Sequence, residues 1–231
     1  MAGSSPVCGR RGTVLGVPSV DGRMEDATQS PVRVLTVCGS LQSRSSNRAA
    51  LDVAAEVATA GGAVVETFDR LAELPAFDPD RSEEPDEVVA EWRAQVDRAD
   101  AVVVAAPEYA GGVAGAVKNA LDWLVATGSL YRTPVAVISA GTTGGRHALV
   151  GTAQTLTWQG AYVVSVVGIA APRSKSDERG RFTDAPTLAA IRALTEELLG
   201  AATAAGAEVA ATAERVVGGL GIDAGHVPPP A

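Results

Sequence analysis

Five short runs rich in valine and alanine, each followed by a stretch of helical periodicity, constrain this chain more than any other feature. The runs are Val32–Val37, Ala63–Phe68, Ala101–Ala106, Pro134–Ser139 and Tyr162–Gly168. Runs this short, β-branched and with little polar alternation suit strands buried on both faces of a parallel sheet. The intervening stretches read as helices: Ala49–Ala60, Asp86–Arg98, a third from Ala114 carrying Val117, Leu121, Leu124 and Val125, and a fourth over Arg146–Gln159. A last helix opens on an Asp184 cap and Pro186, with Leu188, Ile191, Leu194, Leu198 and Leu199 turned inward. Strand and helix in strict alternation predict an α/β fold, a doubly wound five-stranded parallel sheet of order 2-1-3-4-5 with helices on both faces.

A chain of 231 residues fits one such domain with appended segments. Residues 1–31, rich in Gly, Ser, Arg and Pro, read as a disordered leader, with Met24 as the true start. Residues 32–200 form the domain, and 201–231 an Ala/Gly-rich extension holding a second short helix and a loose tail. The apolar runs are too short to span a bilayer, so no membrane partner is expected. A net charge of −8 with no basic cluster argues against nucleic acid. Two cysteines, Cys8 and Cys38, give neither a disulfide framework nor zinc spacing, and a reducing cytoplasm is the expected compartment. Cys38, at the end of a buried strand, reads as a small apolar filler.

The first strand runs into GSLQSRSSN, residues 39–47. A strand feeding a hydroxyl-rich turn at a helix start gathers unpaired N–H groups, the positive end of the helix dipole and side-chain hydroxyls, which together suit a phosphate. Serine and asparagine are also the commonest helix N-caps, so by itself the stretch leaves both readings open. It is neither a Gly-Lys-Ser/Thr phosphate loop nor the dinucleotide GxGxxG. Support comes from position. Unusual loops also follow the third strand, Pro107–Gly115, and the fourth, Ser139–Gly145, and the predicted strand order makes all three neighbours at the switch point where ligands bind.

These residues resemble the NADPH-dependent FMN reductase family, the flavodoxin-like quinone, chromate and azo reductases, over roughly residues 32–195. GSLQSRSSN resembles the family's GSLR loop with its following Ser and Asn. PEYAGGVAGAVKNALDW, residues 107–123, resembles the more specific PEYN…PG.LKNA.DW signature, and LPAFDPD, residues 74–80, resembles the loop after strand two. The resemblance implies that Ser40, Gln42, Ser45, Ser46 and Asn47 surround the FMN phosphate. It implies that Pro107, Glu108, Tyr109, Ala110 and Gly111 line the isoalloxazine ring, largely through backbone, and that Ser139, Gly141 and Gly144 close the other side. The departures are Gln42 for the family's arginine, Ala110 for asparagine, Gly112 for serine and Ala114 for proline. They predict looser FMN binding or an altered substrate, with Arg44 or Arg48 as substitute cations.

The activity implied is hydride transfer from NADPH or NADH through FMN to a small acceptor such as a quinone, an azo compound or free flavin, in a homodimer or homotetramer. Such chemistry resides in the cofactor and asks for no general base. Neither His147, read as a surface or capping residue, nor His226 in the tail is then needed. Lys118, Asn119 and Asp122 read as ion-pairing and helix-end packing, Trp92 as core, and Trp123 as core or subunit contact. Two other readings remain: a non-catalytic flavin-binding or electron-transfer protein of the same fold, and a dinucleotide loop at Gly141-Thr142-Thr143-Gly144-Gly145. The latter lacks an acidic ribose partner about 20 positions on. GxSxG is absent, which argues against a serine hydrolase.

Overall fold

The computed structural model describes residues 30–230. The leader, the Met24 start and Cys8 lie outside the described residues. Seven strands and six helices follow in chain order. They are β1 (Arg33–Cys38), α1 (Ser46–Ala60), β2 (Val64–Phe68), α2 (Glu87–Arg98), β3 (Ala101–Ala105), β4 (Glu108–Tyr109) and β5 (Gly112–Val113). Then come α3 (Gly115–Asp122), β6 (Pro134–Gly141), α4 (Arg146–Trp158), β7 (Tyr162–Ala170), α5 (Ala185–Thr203) and α6 (Gly206–Gly219).

The main sheet has order β2-β1-β3-β6-β7 with every pairing parallel, which is 2-1-3-4-5 once the short hairpin β4-β5 is set aside. Two apolar layers flank it. One holds Val89 and Trp92 of α2, Val117 and Leu121 of α3, and Leu156 of α4. The other holds Leu51 and Ala54 of α1 with Ile191, Leu194 and Leu198 of α5. All of β3 is buried, so its Val-rich run faces side chains on both sides, as a central parallel strand requires. Trp92 and Trp123 are both fully enclosed.

Three elements differ from the sequence reading. Helix α3 ends at Asp122, so Leu124 is buried from the following turn while Val125, expected inward, is 60% exposed. Strands β6 and β7 run on to Gly141 and Ala170, so Ser139, the expected strand end, lies inside the ladder opposite Gly168, and Ala140 and Gly141 belong to the strand rather than to the loop. The C-terminal end is not loose. Val209, Ala210 and Ala213 of α6 belong to the α1/α5 layer and Val217 to the other, so the helix passes along edge strand β7 from one layer to the other. It covers an edge that would otherwise offer unpaired backbone groups, and burying each of the two valines contributes about 1.5–3 kcal/mol. Beyond it, Tyr162 Oη donates to the Pro229 carbonyl at 3.2 Å, Arg132 to that of Pro230 at 3.1 Å, and the His226 ring stacks on Trp158 at 3.9 Å. Among the described residues no helix is long and apolar enough to cross a membrane.

Candidate functional site

The three unusual loops meet at the carboxyl ends of β1, β3 and β6, and particular atoms hold them together. Gly39 donates its N–H to the Ala105 carbonyl at 2.8 Å, and a Cβ there would lie 2.1 Å from Val117 Cγ2 and 2.9 Å from Pro107 Cδ. Only glycine lets the first loop pass so close to the second. Cys38 is buried beneath this turn, its thiol donating to the Ser40 carbonyl at 3.6 Å, and burial pushes its pKa up. That is the environment of a packed, unreactive thiol.

Asn47 joins the first loop to the third. Its Nδ2 donates to the Ala140 carbonyl at 3.0 Å and its Oδ1 accepts from the Ala140 N–H at 2.9 Å. Strand β3 stops short of this level: its last registered pair is Ala105 with Ile138, and Ala106 donates to the Ile138 carbonyl. The Asn47 amide therefore continues the ladder on β6 where backbone has run out. With its side chain so engaged and the residue 4% exposed, Asn47 positions the loops.

The second loop is a hairpin. Glu108 pairs with Val113 and Tyr109 with Gly112, and the two residues between them, Ala110 and Gly111, both have positive φ, 52° and 73°. Two positive values define the tight turn whose twist matches antiparallel strands. Asparagine is at ease in that conformation and alanine is not. Ala110 therefore leaves a strained turn. Glu108 turns its carboxylate onto the start of α4, where Oε2 accepts the N–H groups of His147 and Ala148 at 2.8 and 3.3 Å. Gly145, the N-cap of α4, has no capping side chain, and a carboxylate from another loop supplies the missing acceptor. His147 is exposed, its Nδ1 3.4 Å from the same carboxylate.

The first loop presents the clearest binding surface. Ser45 caps α1, its Oγ accepting from Asn47 and Arg48 N–H at 3.2 and 3.4 Å. The backbone N–H groups from Leu41 through Ser46 meet no acceptor among the described residues. Those donors, with the Ser43 and Ser46 hydroxyls and the α1 dipole, fit a phosphate. Ser40 is nearly buried at the base, and Gln42 is exposed and supplies no cation. Arg44 is committed elsewhere, its Nη2 donating to the Glu178 carbonyl at 2.7 Å. Tyr109, Ala110 and Gly111 stand exposed at the hairpin tip, with Pro107 buried beneath. Ser139 is fully enclosed with its Oγ unpartnered, and a Cβ on Gly145 would come within 1.9 Å of that oxygen. Its neighbours Gly141 and Gly144 are partly and fully covered. Asn119 accepts the Phe77 N–H and donates to the Pro75 carbonyl, both at 2.8 Å, and Trp123 also donates to Pro75. Two signature residues thus secure the 74–80 loop, while Lys118 pairs with Asp122 at 2.5 Å.

The NADPH-dependent FMN reductase profile matches residues 32–175, more than half of the chain and all three loops. The chain belongs to this family. An NAD(P)H-dependent FMN reductase of Pseudomonas aeruginosa is 32% identical over 162 residues, 66% of this chain and 85% of that one. A potato NAD(P)H:quinone oxidoreductase is 32% identical over 120 residues, 50% of this chain and 61% of that enzyme, so less than two thirds of its length is spanned. The flavoenzyme NAD(P)H:(acceptor) oxidoreductase of Paracoccus denitrificans superposes with a TM-score of 0.61 at 22% identity, over 74% of this chain and 97% of that one. At that identity the superposition establishes the flavodoxin-like fold. In this chain the hairpin, Asn47 and Glu108 are the parts that lock the crevice, and their contacts are visible only in the structure.

Proposed function

We propose that the protein holds FMN at the crevice between the β1, β3 and β6 loops and carries hydride from NADPH or NADH to a small acceptor, a quinone, an azo compound or free flavin. The supporting observation is the row of unpaired N–H groups from Leu41 to Ser46 at the start of α1, which suits the FMN phosphate. Ser40, Gln42, Ser45 and Ser46 border the phosphate in this reading, and Asn47 keeps that border in register with β6. Pro107, Glu108, Tyr109, Ala110 and Gly111 offer the ring a rigid backbone edge, with Ser139, Gly141 and Gly144 opposite. Bound FMN supplies the redox chemistry, while the residues of this chain bind it, orient it and set access to it. The family membership and the relatives' names support the same activity.

The protein acts in the cytoplasm as a homodimer or homotetramer in this reading. Val125, Tyr131 and Trp158, 60%, 55% and 64% exposed, lie along the end of α3 and α4, and a second copy is the occupant proposed for them.

The test is an anaerobic visible spectrum of the protein reconstituted with FMN, before and after NADPH. The expected result is a perturbed flavin band that bleaches faster than free FMN. An unperturbed band refutes the proposal. A perturbed band that never bleaches assigns instead an electron-transfer protein, the alternative that the departures at Gln42, Ala110 and Gly112 leave open.

A further inference from the structure

Two helices begin at the crevice, and their starts are finished differently. Helix α1 is capped by a neutral hydroxyl, Ser45 Oγ, and leaves the N–H groups from Leu41 through Ser46 unpaired among the described residues. Helix α4 is capped by a charge, because the Glu108 carboxylate, brought from the hairpin, takes the N–H groups of His147 and Ala148 through Oε2. The Glu108 side chain is 17% exposed, so solvent and salt screen it little. Among the described residues the one basic side chain paired with it is His147, whose exposed ring brings Nδ1 to 3.4 Å, and no arginine or lysine neutralises it. A Cβ on Gly145 would lie 3.8 Å from Glu108 Cβ and 1.9 Å from Ser139 Oγ, so Glu108 closes the gap between the second and third loops. Those two loops flank the flavin ring in the reading above. The start of a helix carries about +0.5 of an elementary charge, so the carboxylate turns this wall from about +0.5 to about −0.5.

We propose that Glu108 holds the flavin potential low by placing a negative charge on the ring side of the crevice, which makes reduced FMN a stronger hydride donor to the acceptor. The inference rests on the hydride-transfer reading, which puts the flavin there. A hydride is one proton with two electrons, so its arrival from the nicotinamide leaves the ring with one more negative charge than before. Passing it on removes that charge, and the hydride with a proton from solvent completes the reduced acceptor. A fixed anion beside the ring disfavours the charged, reduced form and favours its discharge. A bare α4 start would do the reverse, steadying the reduced ring as it would a phosphate. The same carboxylate is also a structural cap, so its charge and its hydrogen bonds have to be tested apart.

Glu108→Gln keeps an oxygen for the His147 and Ala148 N–H groups and loses the charge. Reduction of the FMN-loaded full chain by dithionite against a reference dye, with no nucleotide present, reads the potential of each protein. Glu108→Gln should raise the ratio of reduced to oxidised FMN at a fixed potential at least about tenfold, about 30 mV for a two-electron couple. His147→Lys sets a cation beside the carboxylate from an exposed position and leaves Glu108 in place. It should raise the ratio by a smaller factor, and it carries the test if Glu108→Gln folds poorly. In stopped flow, hydride transfer to a low-potential quinone should slow in both variants while reduction by NADPH does not. An unmoved or lowered potential in Glu108→Gln, or in His147→Lys where the first variant does not fold, overturns the proposal and leaves Glu108 a cap. A rise in Glu108→Ala with none in Glu108→Gln overturns it too, since the hydrogen bonds are then responsible. The expected shift in a protein whose FMN never bleaches with NADPH would sink the hydride-transfer reading and leave the effect of Glu108 on the flavin standing; a chain that takes up no FMN ends both.

Discussion

Replacing Asn47 by alanine separates a strut from a ligand. The side chain makes two hydrogen bonds to the Ala140 backbone, at 3.0 and 2.9 Å, where both residues are buried. Truncation removes both bonds and leaves a buried N–H and C=O without partners, because β3 no longer runs alongside β6 at that level. At about 1 kcal/mol net for each of the two bonds, plus about 1–3 kcal/mol for groups left stranded, the loss is about 3–5 kcal/mol. In a domain of this size each kcal/mol moves Tm by roughly 2–4 °C, so the drop should be roughly 6–20 °C. Asn47→Asp should lose a similar amount, since it keeps an acceptor for the Ala140 N–H but sets a second oxygen against the Ala140 carbonyl. Equilibrium urea unfolding and a thermal melt of the FMN-free protein measure the effect directly. FMN affinity should fall as well, because the first and third loops are no longer in register. A variant that unfolds at the wild-type midpoint yet loses FMN would refute the reasoning and make Asn47 a direct phosphate ligand.

Ala110→Asn should stabilise the protein by about 0.5–1 kcal/mol, because alanine at a φ of 52° sits in a conformation that asparagine tolerates better; a melt that is unchanged or lower would show that the hairpin is not strained. Asp184 caps α5, its Oδ2 accepting the Thr187 N–H at 3.0 Å and hydroxyl at 2.6 Å, and these bonds hold its carboxyl below the usual value of 3.8. A folded-state pKa below the unfolded one means that the stabilisation is present above about pH 4 and lost as the pH falls through the folded pKa. Asp184→Ala should therefore lower stability at pH 7 and flatten the decline below pH 4, read as urea midpoints at both pH values; parallel pH profiles would remove Asp184 from the acid response.

The sequence by itself determined the sheet, its order and the crevice. A strand buried on both faces needs an unbroken run such as Val102–Val104, and a helix needs periodic apolar residues such as Val89, Trp92 and Val96; both patterns are local and survive in one dimension. The crevice follows from strand order, and Gly39 announces a turn wherever it is met. Tertiary structure alone decided what makes the crevice rigid. Asn47 and Ala140 are 93 residues apart, and Glu108 lies 39 residues from the helix start that it caps. An amide at a helix start and an acid in a hairpin carry no mark of a partner that far along the chain. Val125 and the loop residues Ala140 and Gly141 were misplaced for a related reason, since where a helix stops or a strand continues depends on neighbours in the sheet. The fate of α6, moved from an appended tail to the cover of β7, has the same origin: a sheet edge exists only after the chain has folded.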